Sequence, residues 1–159
     1  MDVEGGYTDD PKEVAKKLKP VLNVGAVGIN IEDGEGTPEL LVRKIEQVRT
    51  TAESVGVRLF INARTDVYLN EFETPESRIE ETISRAARYR EAGADGIFIP
   101  ALFETAAIKS IYTLSDKEFM SLLKEYFYNN PNRSLANTAP TLGVYVRDKY
   151  LEEHPEIIQ

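Results

Sequence analysis

The chain has 159 residues, of which 42% are hydrophobic and none is cysteine, so it is long enough for one domain with a real core and excludes disulfides, thiolate metal sites and a cysteine nucleophile. Its net charge of -8 would repel nucleic-acid phosphates and anionic lipid surfaces, and we expect neither as a partner. The sequence has no apolar run near the ~20 residues of a membrane span, and its first four residues lack the basic and apolar parts of a signal peptide, which predicts a cytoplasmic protein.

An internal repeat organises the chain. The pattern Gly-Ala-x-Gly-Ile-x-Ile occurs at residues 25–31 and again at residues 93–99, and a third apolar run at residues 57–61 lies about midway between them. The period of about 34 residues suits one strand, one helix and two short connections. Repetition of such units predicts an α/β fold with a parallel sheet or barrel.

The predicted elements alternate along the chain. In order, they are a strand at residues 2–4, a helix opening at Asp10-Pro11, a strand at 24–32, a helix opening at Thr37-Pro38, a strand at 57–64, a helix opening at Thr74-Pro75 and a strand at 96–100. Each helix begins with an N-cap residue followed by proline at its first position. We expect the four strands to form one parallel sheet in sequential order with right-handed crossovers.

Each predicted helix carries an apolar stripe that should face the sheet. The stripe residues are Val14, Leu18, Val21 and Leu22 in the first helix, Leu41, Ile45, Val48 and Ala52 in the second, and Ile79, Ile83 and Ala87 in the third.

Polar side chains end three of the predicted strands. They occupy alternate positions, which point to one side of a strand: Asp2 and Glu4, Asn30 and Glu32, and Asn62 and Arg64. Ligand sites of parallel α/β folds lie at the C-terminal ends of the strands. The sequence therefore predicts one site that contains all three pairs.

The charges of this predicted site suggest its chemistry. Asp2, Glu4 and Glu32 supply oxygens that suit a hard divalent cation such as Mg²⁺ or Mn²⁺. Arg64 offers a planar fork for a carboxylate or phosphonate. A cation that stabilises an enolate oxygen while Arg64 holds the anion would fit carbon–carbon cleavage of a 2-oxo or 2-hydroxy acid, or phosphoryl chemistry on an enol.

Structural roles compete with these functional ones. Asp33 is expected to cap the helix that follows it, as acidic residues after a strand commonly do. Glu32 and Arg64 could form a structural salt bridge instead of a ligand site. Asp2 and Glu4 lie at a chain end that could fray.

Four motifs resemble, in order and spacing, those of the isocitrate lyase and phosphoenolpyruvate mutase superfamily. They are Asp2-Val-Glu-Gly-Gly-Tyr7, Gly25-Ala-Val-Gly-Ile-Asn-Ile-Glu-Asp33, Ile61-Asn-Ala-Arg-Thr-Asp66 and Gly93-Ala-Asp-Gly-Ile-Phe-Ile-Pro100. The resemblance covers residues 1–103 and implies a (β/α)₈ barrel of the TIM type that binds Mg²⁺ at its C-terminal face. It implies metal-associated roles for Asp2, Glu4 and Glu32, a catalytic role for Glu32, and a catalytic and substrate-binding role for Arg64, with Asn30 and Asn62 as supporting substrate-binding residues.

The chain departs from that family in two ways. Only about four of the eight strands are found in residues 1–103, and a sheet of four strands cannot close on itself, which predicts an incomplete barrel. The connection after Asp33 has neither the lysine-rich nor the cysteine-containing gating loop of the lyases and mutases, so the usual proton donor is missing. We therefore expect an impaired lyase or mutase for a small carboxylate; the alternative is a truncated, non-catalytic remnant with an association or structural role.

Residues 104–159 resemble no family that we recognise and are predicted to form a second, helical segment. A capping box at residues 115–118 precedes an amphipathic helix from Phe119 to Phe127, and a loop at 131–141 precedes a helix at 143–153. We expect this segment to cover the open sheet, or two copies of the chain to associate as a homo-oligomer.

Overall fold

The computed structural model of the protein describes residues 1–70 and 74–114. Its elements are, in order, α1 (Pro11–Asn23), β1 (Gly28–Glu32), α2 (Pro38–Ser54), β2 (Phe60–Arg64), α3 (Pro75–Glu91), β3 (Gly96–Phe98) and α4 (Thr105–Leu114). The capping box and the helices predicted beyond residue 114 lie outside the described residues. Within this part of the chain, no helix is long and apolar enough to cross a bilayer.

The three strands form one parallel sheet in the order β1-β2-β3, which confirms the predicted direction and sequence of the strands. The predicted first strand is reduced to a single parallel bridge between Asp2 and Asn30. Backbone hydrogen bonds extend this contact on both sides, from the Asn30 amide to the Met1 carbonyl at 2.8 Å and from the Val3 amide to the Asn30 carbonyl at 3.0 Å. The N-terminal segment therefore lies alongside β1 as a fourth, very short extended piece.

The predicted strand at 24–32 is too long, because its first four residues make the turn that follows α1. Gly25 has φ +97°, a left-handed conformation that glycine adopts without the cost a side chain would add, and its amide bonds the Leu22 carbonyl at 3.0 Å. The strand begins only at Gly28. Residues 1–70 and 74–114 contain three strands and do not close a barrel by themselves, so the barrel and the boundary at residue 103 stay predictions.

All three predicted helix starts are confirmed. The Asp10 side chain accepts a hydrogen bond from the Lys12 amide at 2.9 Å, and the Thr37 side chain accepts one from the Leu40 amide at 3.3 Å. Thr74 accepts from the Ser77 amide at 3.1 Å, and the Ser77 hydroxyl accepts from the Thr74 amide in return. Each cap satisfies amide groups that the first turn of a helix leaves without an intrahelical partner.

The core lies between the sheet and the helices that connect its strands. The predicted stripe of α2 is entirely buried, and so is that of α1 except for the half-buried Val21. The predicted stripe of α3 is confirmed in part: Ile79 and Ile83 are half-buried and pack against the core, whereas Ala87 is exposed. The buried residues of α3 are instead Thr82, Arg85, Ala86 and Tyr89. This face turns inward because Arg85 and Tyr89 donate hydrogen bonds to the buried carboxylate of Asp33, in the loop that follows β1.

Arg49 of α2 fixes the N-terminal end of the sheet. Its guanidinium donates to the Leu59 carbonyl at 2.7 Å, to the Gly93 carbonyl at 2.6 Å and to the carboxylate of Asp95. Asp95 also accepts the Ile61 amide at 2.8 Å. These contacts tie α2 to the segments that lead into β2 and β3.

Candidate functional site

Polar side chains of β1 and β2 lie side by side at the C-terminal end of the sheet. The strand register pairs Asn30 with Asn62 and Glu32 with Arg64. The Asn62 amide donates to Asn30 Oδ1 at 2.9 Å, and Arg64 Nη1 lies 2.9 Å from Glu32 Oε2. The alternation predicted for β1 is confirmed, because Ile29 and Ile31, which alternate with these polar residues, are buried on the opposite face.

The N-terminal segment brings two further acids next to β1. The Glu32 amide donates to the Glu4 carbonyl at 3.0 Å, and Asp2 Oδ1 accepts the Glu4 amide at 2.9 Å. Burial raises the pKa of the Glu32 carboxyl; the Arg64 guanidinium opposes this shift, and the negative charges of Asp66, Asp2 and Glu4 add to it. The predicted acids therefore share one electrostatic neighbourhood.

The donor chemistry of this neighbourhood fits a hard cation, but no ligand shell is preformed. Among residues 1–70 and 74–114, no three acidic or histidine side chains are grouped closely enough to hold a metal ion. Carboxylate oxygens suit Mg²⁺, which commonly keeps several waters in its shell. A cation here would offset the negative charges of Asp66, Asp2 and Glu4, which add to the effect of burial in raising the pKa of Glu32. The metal site at Asp2, Glu4 and Glu32 stays a prediction.

Two lysines hold the loop that follows these acids. Lys44 of α2 is buried, and its Nζ donates to the Gly5 carbonyl at 2.7 Å. Lys17 Nζ donates to the Tyr7 carbonyl at 3.0 Å. Sequence reasoning missed Lys44, although a lysine next to Ile45 in an apolar stripe was the available signal.

Asp66 occupies much of the Arg64 fork. Arg64 Nε donates to Asp66 Oδ1 at 2.6 Å and Nη2 to Oδ2 at 3.1 Å, while Nη1 meets Glu32. Although burial opposes the charge, the hydrogen bond and negative charge of Asp66 raise the pKa of Arg64. Glu32 and Arg64 therefore form the ion pair that was the alternative to a ligand site. Contact of Arg64 with a substrate stays a prediction. Asp66 was missed as a site residue, although it stands in the third motif.

Asp33 does not cap the helix that follows it, so that expectation is wrong; Thr37 is the cap of α2. Asp33 Oδ1 instead accepts the Asp66 amide at 2.9 Å, and its Oδ2 accepts Arg85 Nη1 at 2.9 Å and the Tyr89 hydroxyl at 2.6 Å. Burial and the nearby Asp33 charge raise the pKa of Tyr89. The loop is too long for Asp33 to serve α2, and the buried carboxylate finds these donors on neighbouring elements.

These features define a parallel α/β protein with acidic side chains and a paired arginine at the ends of its strands, an arrangement suited to an anionic ligand and a cation. The chain belongs to the phosphoenolpyruvate phosphomutase family, whose model matches residues 1–137. The resemblance to the isocitrate lyase and phosphoenolpyruvate mutase superfamily is thereby confirmed. The match runs past residue 103, where the predicted resemblance ends.

Curated relatives include enzymes that act on carboxylates. An uncharacterized protein of Mycobacterium tuberculosis is 36% identical over 104 residues, which cover 63% of this chain and 36% of the relative. The 2-methylisocitrate lyase of Escherichia coli K12 is 28% identical over 111 residues, 67% of this chain and 38% of the enzyme. The oxaloacetate decarboxylase of Pseudomonas savastanoi pv. phaseolicola is 33% identical over 102 residues, 62% of this chain and 35% of the enzyme. The chain spans between 35% and 38% of the lengths of these three relatives.

Solved structures share the fold. A candidate phosphonomutase from Burkholderia cenocepacia J2315 is 35% identical and superposes with a TM-score of 0.67 over 72% of this chain and 49% of its own. The 2,3-dimethylmalate lyase, a member of the same superfamily, gives a TM-score of 0.60 at 22% identity over 70% of this chain and 38% of its own. The latter similarity supports the fold alone.

Proposed function

We propose that this chain takes part in Mg²⁺- or Mn²⁺-dependent lyase or mutase chemistry on a 2-oxo or 2-hydroxy carboxylate, through an enolate. The observation that carries this proposal is the pair Glu32 and Arg64 at the C-terminal ends of β1 and β2, with Asp2 and Glu4 beside it. Relatives named as a 2-methylisocitrate lyase and an oxaloacetate decarboxylase support the class of reaction and substrate.

Arg64 binds the substrate carboxylate in this proposal. Its Nη1 contacts Glu32 in the structure, and a ligand carboxylate would replace Glu32 there. Asn30 and Asn62, which are hydrogen-bonded to each other at 2.9 Å, present amide groups next to the same position and would orient the substrate oxygens. Binding a carboxylate in a half-buried site strengthens its interaction with the guanidinium, because little water screens it.

Asp2, Glu4 and Glu32 would hold the divalent cation. When bound, the cation supplies positive charge that stabilises an enolate oxygen. Glu32 is then free of its contact with Arg64, so that the acid serves the cation and the arginine serves the substrate. This exchange of partners accounts for why an acid and an arginine face each other at the strand ends.

Turnover is expected to be low. The connection between Asp33 and α2, residues 34–37, contains neither lysine nor cysteine, the groups expected to donate a proton to the enolate. An enolate that is stabilised but not protonated returns to its precursor rather than going on to product. Binding is therefore a sharper test of the proposal than rate.

Titration calorimetry with Mn²⁺, followed by oxalate as an enolate mimic, tests the proposal. We expect Glu32→Gln to weaken metal binding about ten-fold or more, because it removes a charged oxygen ligand. The control Glu13→Gln changes the net charge equally at an exposed site on α1 and should stay within about two-fold of the wild type. Absence of metal-dependent heat, or equal binding by Glu32→Gln, would contradict the proposal.

The arginine is tested separately. Arg64→Lys should spare metal binding and weaken oxalate binding about ten-fold, since a point charge cannot reproduce the two-point contact of a guanidinium. If neither variant differs from the wild type, Glu32, Arg64 and Asp66 form a structural ion-pair network, and the alternative of a non-catalytic protein with an association role is favoured.

A further inference from the structure

A continuous set of hydrogen bonds leads from helix α3 to the guanidinium of Arg64. Tyr89 and Arg85 of α3 both donate to Asp33 Oδ2, at 2.6 Å and 2.9 Å. Asp33 Oδ1 accepts the backbone amide of Asp66 at 2.9 Å, and the Asp66 carboxylate binds Arg64 through two bonds. We call these four residues, Asp33, Asp66, Arg85 and Tyr89, the anchor network.

The inner end of the anchor network is rigidly held. The side chains of Asp33 and Tyr89 are fully buried, and a buried carboxylate is retained only when its oxygens are satisfied. Three donors meet the two oxygens of Asp33, and one of them is the cation of Arg85, which is itself fixed by Glu81 at 2.6 Å. Asp33 therefore has one conformation that satisfies all its partners.

Asp33 also joins the two loops that carry the site. Its own amide donates to the Arg64 carbonyl at 3.1 Å, and its carboxylate holds the Asp66 amide. The loop that follows β1 is thereby locked onto the loop that follows β2. The backbone that follows the Arg64 side chain, from the Arg64 carbonyl to the Asp66 amide, is therefore held by a residue of the loop after β1.

Asp66 uses this fixed backbone to orient the guanidinium. A two-point contact at Nε and Nη2 restrains both the position and the plane of the group, which one hydrogen bond cannot do. The Asp66 side chain is 10% exposed, whereas Glu32, which holds Nη1, is 23% exposed. A ligand carboxylate that arrives from solvent therefore competes with Glu32 and not with Asp66.

We propose that Asp66 is a positioning residue that presents Arg64 Nη1 to the ligand carboxylate, and that Asp33, Arg85 and Tyr89 hold Asp66 for this task. The part that concerns the ligand rests on the proposed function. The part that concerns Arg64 is a property of the ligand-free protein and is tested without any ligand.

The first test is the Nε–H signal of Arg64 in a ¹H–¹⁵N spectrum of the full chain, assigned by its loss in Arg64→Lys. Bound to Asp66, this proton should exchange slowly with water. Asp66→Asn should accelerate its exchange about ten-fold or more, since a charged acceptor is lost, and Tyr89→Phe should accelerate it by a smaller factor through Asp33. Unchanged exchange in Asp66→Asn would overturn the inference.

A matched control is present at the opposite end of the sheet. Like Asp66, Asp95 pairs with an arginine, in this case Arg49, and its carboxylate additionally accepts the Ile61 amide of β2. Asp95→Asn should therefore lower stability, as seen in urea unfolding, while leaving the Arg64 signal unchanged. A change of that signal in Asp95→Asn equal to the change in Asp66→Asn would show a general loosening of the fold and would overturn the inference.

The second test is the affinity for oxalate in the presence of Mn²⁺. Asp66→Asn should weaken oxalate binding about ten-fold and leave binding of Mn²⁺ alone within about two-fold, whereas Asp95→Asn should change neither. Equal oxalate affinity in the wild type and Asp66→Asn overturns the inference and leaves the proposed function intact. If the wild type binds no oxalate while the Arg64 signal still depends on Asp66, the proposed function fails and the positioning of Arg64 by Asp66 stands.

Discussion

Glu39 in the first turn of α2 forms an ion pair with Arg88 of α3, at 2.7 Å. Its own backbone amide at the helix N-terminus and the Arg88 guanidinium lower the pKa of the Glu39 carboxyl. Both side chains are exposed, so the energy of the pair is small and screened by salt. The direction of its pH dependence is nevertheless defined.

We predict that Glu39→Gln lowers the free energy of unfolding at neutral pH. A carboxyl whose pKa is lower in the folded state stabilises the fold above its unfolded-state pKa, and this contribution disappears as the pH falls through the folded-state pKa. The difference between wild type and variant should therefore vanish in acid. Urea unfolding followed by circular dichroism across this pH range measures it. Arg88→Gln should reduce the difference without abolishing it, and a difference that grows as the pH falls would contradict the prediction.

At the scale of elements, each helix between two strands begins in the same way. A cap side chain precedes α1, α2 and α3, and a proline is the first residue of each helix, so the start of each helix is encoded in two adjacent residues. The starts of β2 and β3, in contrast, are held by contacts between elements: Arg49 of α2 donates hydrogen bonds to the segments that precede these strands.

We predict that Thr37→Ala lowers the free energy of unfolding by about 1 kcal/mol, because the Leu40 amide loses its hydrogen bond to the Thr37 side chain. Thr50→Ala is the matched control. Thr50 is exposed within α2, where its hydroxyl bonds a carbonyl of its own helix, and alanine favours a helix interior, so this change should cost nothing or stabilise slightly. Equal losses in the two variants, measured by urea unfolding, would count against a capping role.

For the whole molecule, three large apolar side chains are exposed at the end of the sheet that carries the site. Tyr7, Leu69 and Phe103 are each more than half exposed, and they lie on the loops that follow the N-terminal segment, β2 and β3. Within the described residues, β3 pairs only with β2, so its other edge has no strand partner there. Large exposed apolar groups around a sheet edge favour association.

We predict that the chain self-associates. Sedimentation equilibrium should give a mass above the 17.9 kDa of one chain, and Phe103→Asp should weaken the association because it places a charge in an apolar contact. Val24→Asp is the control, since Val24 is 86% exposed and follows α1 at the opposite end of the sheet. A single species of monomer mass at all concentrations would refute the prediction.

The sequence by itself determined the features that depend on near neighbours in the chain. Helix starts at Asp10, Thr37 and Thr74 follow from a cap and a proline, and the alternation of Asn30 and Glu32 with isoleucines follows from the period of a strand. The repeat predicted parallel strands, because a connection of that length returns the chain to the end of the sheet at which the previous strand began. The four motifs predicted the family, and the alternate polar positions predicted the six side chains at the strand ends.

Only the tertiary structure decided which partners the other polar groups meet. Asp33 could cap a helix or be buried, and the choice followed from Arg85 and Tyr89, which are distant in sequence but adjacent in space. The same contacts determine which face of α3 is buried. The buried carboxylate of Asp33 needs hydrogen-bond donors, and Arg85 and Tyr89 supply them from that face. The hydrogen bonds that Arg64 donates to Asp66 could not be predicted from the sequence either. The orientation of a side chain that follows a strand depends on the neighbouring loop.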